Sequence, residues 1–375
     1  MPDSGKPKQW KLLVQPGDGI MPLIKGIAAA KSSVDIVIFR ADRKELESAL
    51  AAAVGRGVSV HALIAHTNRA GEENLRRLEL RLLESGITVA RTAGDLVRYH
   101  SKFMIVDRRE LYLLAFNFTY ADMEHSRSFG VITTNRPLVR EAVKLFEADT
   151  RRQPYEAGLD QFVVSPANAR KQLSSFIQGA KQRLIMYDPN VGDPAIISLL
   201  QERAKAGVAI RLIGRLVMKS AGIAVHKLAG MRLHTRTMVR DNDCAFVGSQ
   251  SLRTLELDAR REAGVILRDP EAVAQLVRTF EEDWERAELG GGKEEGEPAP
   301  AARVAKKVAK AVAKELPPLA AVLDGAVKEV AGGAQLELNA EEVERVIKEA
   351  VRSAVKDVVQ DAMEEIAQQS GEGER

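Results

Sequence analysis

Along the first 290 residues, short apolar β-branched runs alternate with amphipathic stretches. The runs at 34–39 (VDIVIF) and 58–65 (VSVHALIA) predict strands, and 45–57 (ELESALAAAVGRG) between them predicts a helix closed by glycine. Residues 72–86 (EENLRRLELRLLESG) predict a second helix, with Leu75, Leu78, Leu82 and Leu83 on one face and Gly86 as its stop. Two further strands follow at 103–107 (FMIVD) and 111–116 (LYLLAF). Strand and helix in alternation argue for an α/β layer with mixed or parallel strands.

The pattern then restarts. RLIMYD (183–188) resembles VDIVIF, the helical 195–207 resembles 45–57, and GVAIRLIG (207–214) matches GVSVHALI (57–64) nearly position for position. RTMVRD (236–241) and CAFVGS (244–249) mirror the two later strands. The offset is 150 residues early (Gly57 to Gly207) and 134 later (His100 to His234), so the second copy lacks about one short helix. An internal duplication accounts for this, with a seam near 150–162 and a site between the copies. The expected organisation is a first domain over 10–155, a second over 160–288, a Gly/Pro/Glu linker at 289–300 and a partly disordered helical tail over 301–375. In the tail, Val304, Val308, Ala311, Val312 and Leu316 share one helical face; Asn339 and Glu342 form a capping box for a longer helix.

Composition sharpens this division. At 45% hydrophobic and 29% charged, the chain is apolar enough for a sizeable core. The net charge of +3 averages two unlike regions. Residues 291–375 hold 12 Lys+Arg against 17 Asp+Glu and no aromatic residue; residues 1–290 hold 43 against 35, a net +8. That surplus suits an anionic ligand such as a lipid head group or nucleic acid. The single cysteine, Cys244, excludes a disulfide framework and reads as a buried inert thiol. MPDSGKPKQW lacks the apolar run of a signal peptide, and apolar stretches are of strand length. The expectation is a cytoplasmic protein, with peripheral membrane contact through its substrate.

The chemistry concentrates in two matched sets. His100-Ser-Lys102 is followed by Asp107, with Asn117 ten residues later; His234-Thr-Arg236 is followed by Asp241, then Gly248-Ser249. Gly130 and Gly264 each lie 30 residues past their histidine, so the alignment runs through the whole motif. Extended backbone turns positions i and i+2 to one face, projecting His100 with Lys102 and His234 with Arg236. One imidazole can attack phosphorus while another protonates the leaving oxygen, because histidine titrates near neutral pH. Flanking cations neutralise phosphate charge. This chemistry calls for no cofactor, and the sequence shows no convincing metal-ligand cluster. His61, His66, His125 and His226 have no matched partner and read as structural or surface residues.

These sets resemble the HxKxxxxD signature of the phospholipase D superfamily in its two-copy form. The resemblance covers about residues 10–287, with SPANAR (165–170) and FEEDW (280–284) similar to the bacterial cardiolipin synthase-like branch. It implies two tandem phospholipase D-like domains, mixed sheets flanked by helices, in a pseudo-two-fold arrangement. It also implies His100 as a nucleophile forming phosphohistidine and His234 as general acid. Lys102 and Arg236 would clamp the phosphate, Asn117 and Ser249 would help by hydrogen bonding, and Asp107 and Asp241 would orient the imidazoles. Glu262 is the supporting acidic residue.

Each copy departs from the family in a different place. Arg236 replaces a lysine, Leu114-Ala115 replaces the first Gly-Ser, Ser251 stands where the second asparagine falls, and Ser128 stands opposite Glu262. The function implied is hydrolysis or transfer of the phosphatidyl group of phospholipids. A metal-independent nuclease and a catalytically weakened phosphate-binding pseudo-enzyme are the alternatives. The partners implied are a phospholipid or membrane surface, nucleic acid, and an unidentified partner for the C-terminal helices.

Overall fold

A computed structural model describes residues 9–66, 73–218 and 220–290. The first half runs β1 (Trp10–Gln15), α1 (Met21–Ala29), β2 (Ser33–Ile38), α2 (Lys44–Gly55), β3 (Ser59–Ile64), α3 (Glu73–Glu84), β4 (Thr88–Arg91) and β5 (Arg98–Tyr99). It continues through β6 (Phe103–Val106), β7 (Glu110–Leu114), α4 (Tyr120–Glu124), β8 (Ser126–Thr133) and α5 (Arg136–Arg151). The second runs β9 (Phe162–Val164), α6 (Ala169–Gln178), β10 (Arg183–Val191), α7 (Pro194–Lys205), β11 (Ala209–Leu216), β12 (Ile223–His226) and β13 (Arg232–Leu233). It closes with β14 (Arg236–Arg240), β15 (Cys244–Gly248), α8 (Thr254–Asp258), β16 (Arg260–Arg261), β17 (Ala263–Leu267) and α9 (Pro270–Gly290).

Each half builds one mixed sheet, ordered β1-β8-β7-β6-β2-β3-β4 in the first and β9-β17-β15-β14-β10-β11-β12 in the second. The registers coincide at the sequence offsets. Leu13 faces Gly130 as Val163 faces Gly264, and Val34 faces Val106 as Leu184 faces Arg240. The duplication is therefore structural. Among the described residues no helix separates β11 from β12, so α3 is the element the second copy lacks.

Strand β2 is buried from Val34 onward, as befits a strand covered on both faces. Leu75, Leu78 and Leu82 of α3 are buried, but Leu83 is 48% exposed, a correction to the expected apolar face. Its Cβ lies one residue beyond the 3.6-residue stripe. Gly86, at φ +78°, ends this helix with Gly86 and Ile87 donating back to Leu83 and Leu82.

The two sheets and helices α5 and α9 share one apolar core, which brings Phe103, Phe129 and Phe146 together with Phe162, Val247 and Phe280. Separate cores lie under α1–α3 and under α6–α7. Cys244 is buried, and burial pushes its thiol up. The tail and all but the start of the expected linker lie outside the described residues; Leu289 and Gly290 still belong to α9. No helix among the described residues is long and apolar enough to cross a membrane.

The halves also exchange strands. β13 pairs with β8, and β5 pairs with β16, at pseudo-equivalent positions. Two buried ion pairs pin the same junction: Arg127 donates from Nε and Nη2 to Asp283 at 2.6 and 2.9 Å, and Arg261 donates from Nε to Asp149 at 3.1 Å. The apolar core supplies the bulk of the association, while the ion pairs fix its register.

Candidate active site

The crossing strands deliver each histidine to the other half. The His100 N–H donates to the Arg261 carbonyl at 2.7 Å, and the His234 N–H donates to the Arg127 carbonyl at 3.0 Å. Both imidazoles are almost fully buried. Residues 100–102 are irregular backbone between β5 and β6, yet Lys102 and His100 meet as the i, i+2 spacing predicts. The Lys102 ammonium lies 2.8 and 2.9 Å from the two ring nitrogens and donates to the His100 carbonyl at 2.8 Å.

Each ring faces a carboxylate from the opposite half. His100 Nδ1 lies 2.9 Å from Glu262 Oε2, and His234 Nδ1 lies 3.1 Å from Asp122 Oδ2. The two carboxylates are not pseudo-equivalent. Glu262 corresponds to Ser128, whose hydroxyl donates to the His234 carbonyl at 2.6 Å. Asp122 corresponds to Glu256, which accepts from Arg260 at 2.7 Å.

Electrostatics separate the two rings. Burial and the charges of Lys102, Arg236, Arg260 and Arg98 hold His100 well below the ordinary imidazole range. Burial, opposed by Asp122 and aided by Arg232 and Arg236, pushes His234 down to about 4. Burial pushes Glu262 up to about 7 against Lys102, Arg260 and the Ser249 hydroxyl. Asp122 is held far down despite its burial, by His234, Arg232 and the Asn117 N–H. Burial also lowers Lys102 strongly, against Glu262. Arg236 acts on both rings and donates from Nε to Ser251 at 2.9 Å, so the longer cation reaches the shorter hydroxyl. The Ser249 hydroxyl donates to the Ala263 carbonyl at 3.3 Å, one residue from Glu262.

The motif aspartates are a correction. Asp107 accepts from the backbone N–H groups of Lys31, Ser32 and Ser33 at 2.7–3.0 Å, and Asp241 accepts from those of Lys181, Gln182 and Arg183 at 2.8–3.1 Å. They tie a hairpin turn to the start of β2 or β10 and do not orient the imidazoles. Asp107-Arg108 and Asp241-Asn242 have φ between +49° and +58°, the left-handed pairing of a tight hairpin, where aspartate and asparagine are tolerated. Against the opposing effect of burial, the N–H groups hold Asp107 down at about 2. Asn117 is also used differently than expected: its N–H and its Nδ2 both donate to Asp122 Oδ2 at 2.8 Å.

Sequence reasoning missed Asp122 and the pins. Asp122 and its mate Glu256 are both acidic at the 134-residue offset, but Glu256 serves Arg260, so the repeat alone does not assign Asp122 to a histidine. The pins were detectable: Arg127 and Arg261, like Asp149 and Asp283, are mates at the 134-residue offset.

The duplicated α/β fold thus buries two His–carboxylate pairs, one for each motif, at the junction of its halves. The family described as "Cardiolipin synthase, PLD-like domain" matches residues 23–150 and 173–284. The chain belongs to this phospholipase D-like domain family. It is 26% identical over 303 residues to polyphosphate kinase 1 of Chlorobaculum tepidum, covering 72% of this chain and 43% of that protein. It is 27% identical over 285 residues to polyphosphate kinase of Prochlorococcus marinus, covering 68% and 39%. The chain thus spans less than half the length of these relatives. Among solved structures, polyphosphate kinase from Porphyromonas gingivalis aligns with a TM-score of 0.63 at 21% identity, over 74% of this chain and 50% of that one. Phosphatidylserine synthase from Haemophilus influenzae aligns with 0.61 at 10% identity, over 75% and 86%. These two likenesses establish the fold.

Proposed function

We propose that the chain is a phospholipase D-type phosphodiesterase that hydrolyses or transfers the phosphatidyl group of phospholipids through phosphohistidine. The observation that carries this reading is the pair of buried imidazoles, each with Nδ1 against a carboxylate of the opposite half. With a carboxylate against Nδ1, each ring turns Nε2 to chemistry. His100 Nε2 gives its lone pair to phosphorus, and the P–O bond to the head-group alcohol breaks. The leaving oxygen takes the Nε2 proton of His234. A water or acceptor alcohol, deprotonated by His234, then attacks phosphorus and the P–N bond returns its electrons to His100. Lys102 and Arg236 neutralise charge that builds on the phosphoryl oxygens. His100 suits the nucleophile because four cations and burial keep its ring unprotonated. His234, which burial holds down at about 4, takes up the proton it donates as the phosphate anion binds beside it, and the ionised Asp122 supports the imidazolium so formed.

A phosphoanhydride substrate is the second reading, favoured by the identity to polyphosphate kinases. It uses the same nucleophile. Turnover assays on phosphatidylcholine vesicles, inorganic polyphosphate and single-stranded DNA test the proposal. Release of phosphatidic acid, or of a new phosphatidyl alcohol when ethanol is present, is the expected result. Turnover of polyphosphate or DNA alone would replace the lipid reading, and turnover of none would leave a phosphate-binding pseudo-enzyme.

A further inference from the structure

We propose that Asn117 and Asp122 form a positioning pair that holds the general acid of the opposite half, His234, so that the motif asparagine acts through Asp122 instead of on the substrate. The inference rests on the assignment of His234 as acid in the preceding reading. It adds residues that the motif spacing places elsewhere.

The geometry is specific. Asp122 Oδ2 accepts twice from Asn117 and faces His234 Nδ1, while Oδ1 accepts from Arg232 Nη1 at 2.6 Å. Asn117 and Asp122 are 4% and 2% exposed. The Asp122 N–H is itself held by the Thr119 hydroxyl at 3.3 Å, the cap of α4. Two donors on one oxygen fix that oxygen in place and keep it ionised, as a neutral carboxyl would turn a proton toward them. The acceptor-only carboxylate 3.1 Å from Nδ1 favours the proton there, although the contact falls off the hydrogen-bond line, and leaves Nε2 as the working nitrogen.

The same contacts draw Asn117 away from the substrate: one N–H of its side-chain amide is committed to Asp122, and its buried Oδ1 has no hydrogen-bond partner. Comparison between the halves points the same way. The mate of Asn117 is Ser251, which serves Arg236, and the mate of Asp122 is Glu256, which serves Arg260. Position 128 offers His234 only a serine hydroxyl on its carbonyl. The carboxylate for His234 has therefore moved to α4, and Asn117 holds it there.

The test uses the full chain with ¹⁵N-labelled histidine, in wild type and in Asn117→Ala and Asp122→Asn. Asn117→Ala keeps the Asp122 carboxyl group but removes the side-chain donor that holds it, and keeps the test valid if Asp122→Asn fails to fold. NMR reads the His234 tautomer without any substrate; turnover is read on phosphatidylcholine and on bis(p-nitrophenyl) phosphate, whose leaving group needs no protonation. The proposal expects the wild-type Nδ1–H pattern of His234 to be lost in both variants. It expects kcat on phosphatidylcholine to fall by about 100-fold or more, within the range for lost acid catalysis. On the p-nitrophenyl ester the loss stays under about 10-fold, with KM nearly unchanged. An unchanged His234 spectrum, or an equal rise in KM on both substrates with kcat retained, would overturn it and make Asn117 a phosphate ligand. If wild type turns over neither substrate, the functional reading falls and the spectrum alone decides the positioning role.

Discussion

His100 and Glu262 lie 162 residues apart in the chain and meet at 2.9 Å through Nδ1 and Oε2. The contact makes the nucleophile's orientation a property of the junction between the halves. Burial raises Glu262 to about 7, so near neutrality the carboxyl passes between a proton donor and an acceptor. Only the ionised form accepts from Nδ1–H and so keeps the lone pair on Nε2, where the Lys102 ammonium lies at 2.8 Å until phosphate draws it away. Activity is therefore expected to rise with pH through about 7. Glu262→Gln, which cannot ionise, should lower kcat by about 100-fold and abolish that rise. A pH–rate profile checks this, and a Glu262→Gln enzyme that kept the wild-type acidic limb would rule out the assignment.

Asp107 and Asp241 give a contrasting expectation. Each is a backbone acceptor in a left-handed turn, so Asp107→Ala should cost about 1–2 kcal/mol of stability, as loss of a helix cap does. Turnover per folded molecule should change little. Urea melts with active-site titration separate the two effects. A 100-fold loss of kcat at full stability would restore Asp107 to the chemistry.

The buried pins should differ in strength. Arg127 meets Asp283 with two bonds, and Tyr187 donates to the same carboxylate at 2.7 Å; Arg261 meets Asp149 with one. Burial, opposed by Arg261, also pushes Asp149 up to about 6, so its ion pair is the weaker. Asp283→Asn should cost about 3–5 kcal/mol, the usual result of orphaning a buried charge, and Asp149→Asn less. Denaturant unfolding of both variants gives the order directly; the reverse order would contradict this account of the junction.

Arg236 and Ser251 read as a compensating exchange, since the guanidinium Nε reaches the hydroxyl at 2.9 Å. Arg236→Lys alone leaves the cation short of Ser251 and should raise KM about tenfold, a loss of roughly 1.4 kcal/mol. Adding Ser251→Asn supplies the longer partner and should recover most of it. Steady-state kinetics on the double variant decide the matter, and strict additivity would show the two positions to be independent.

Much of this is legible in the sequence, for identifiable reasons. Strand and helix positions followed from buried β-branched runs such as 34–38 and from the Leu75-Leu78-Leu82 stripe. The duplication was legible because His100 and His234, and Gly130 and Gly264, keep one spacing. The meeting of Lys102 with His100 is local, at i and i+2. The orienting carboxylates are different in kind, because Glu262 and Asp122 reach their histidines only through the crossing of β5 onto β16 and β13 onto β8. No local pattern encodes that crossing. Asp107 and Asp241 differ for a local reason: a turn in left-handed backbone selects aspartate as readily as a catalytic site does.

The central claim is covalent chemistry at His100, and trapping tests it most directly. The full chain is mixed with phosphatidylcholine radiolabelled in its phosphate, quenched in alkali at short times, and the labelled peptide is mapped. We expect an alkali-stable, acid-labile adduct on His100 that is lost in His100→Ala and still forms, more slowly, in His234→Ala. An adduct that persists in His100→Ala and disappears in His234→Ala would contradict the account and reverse the two roles.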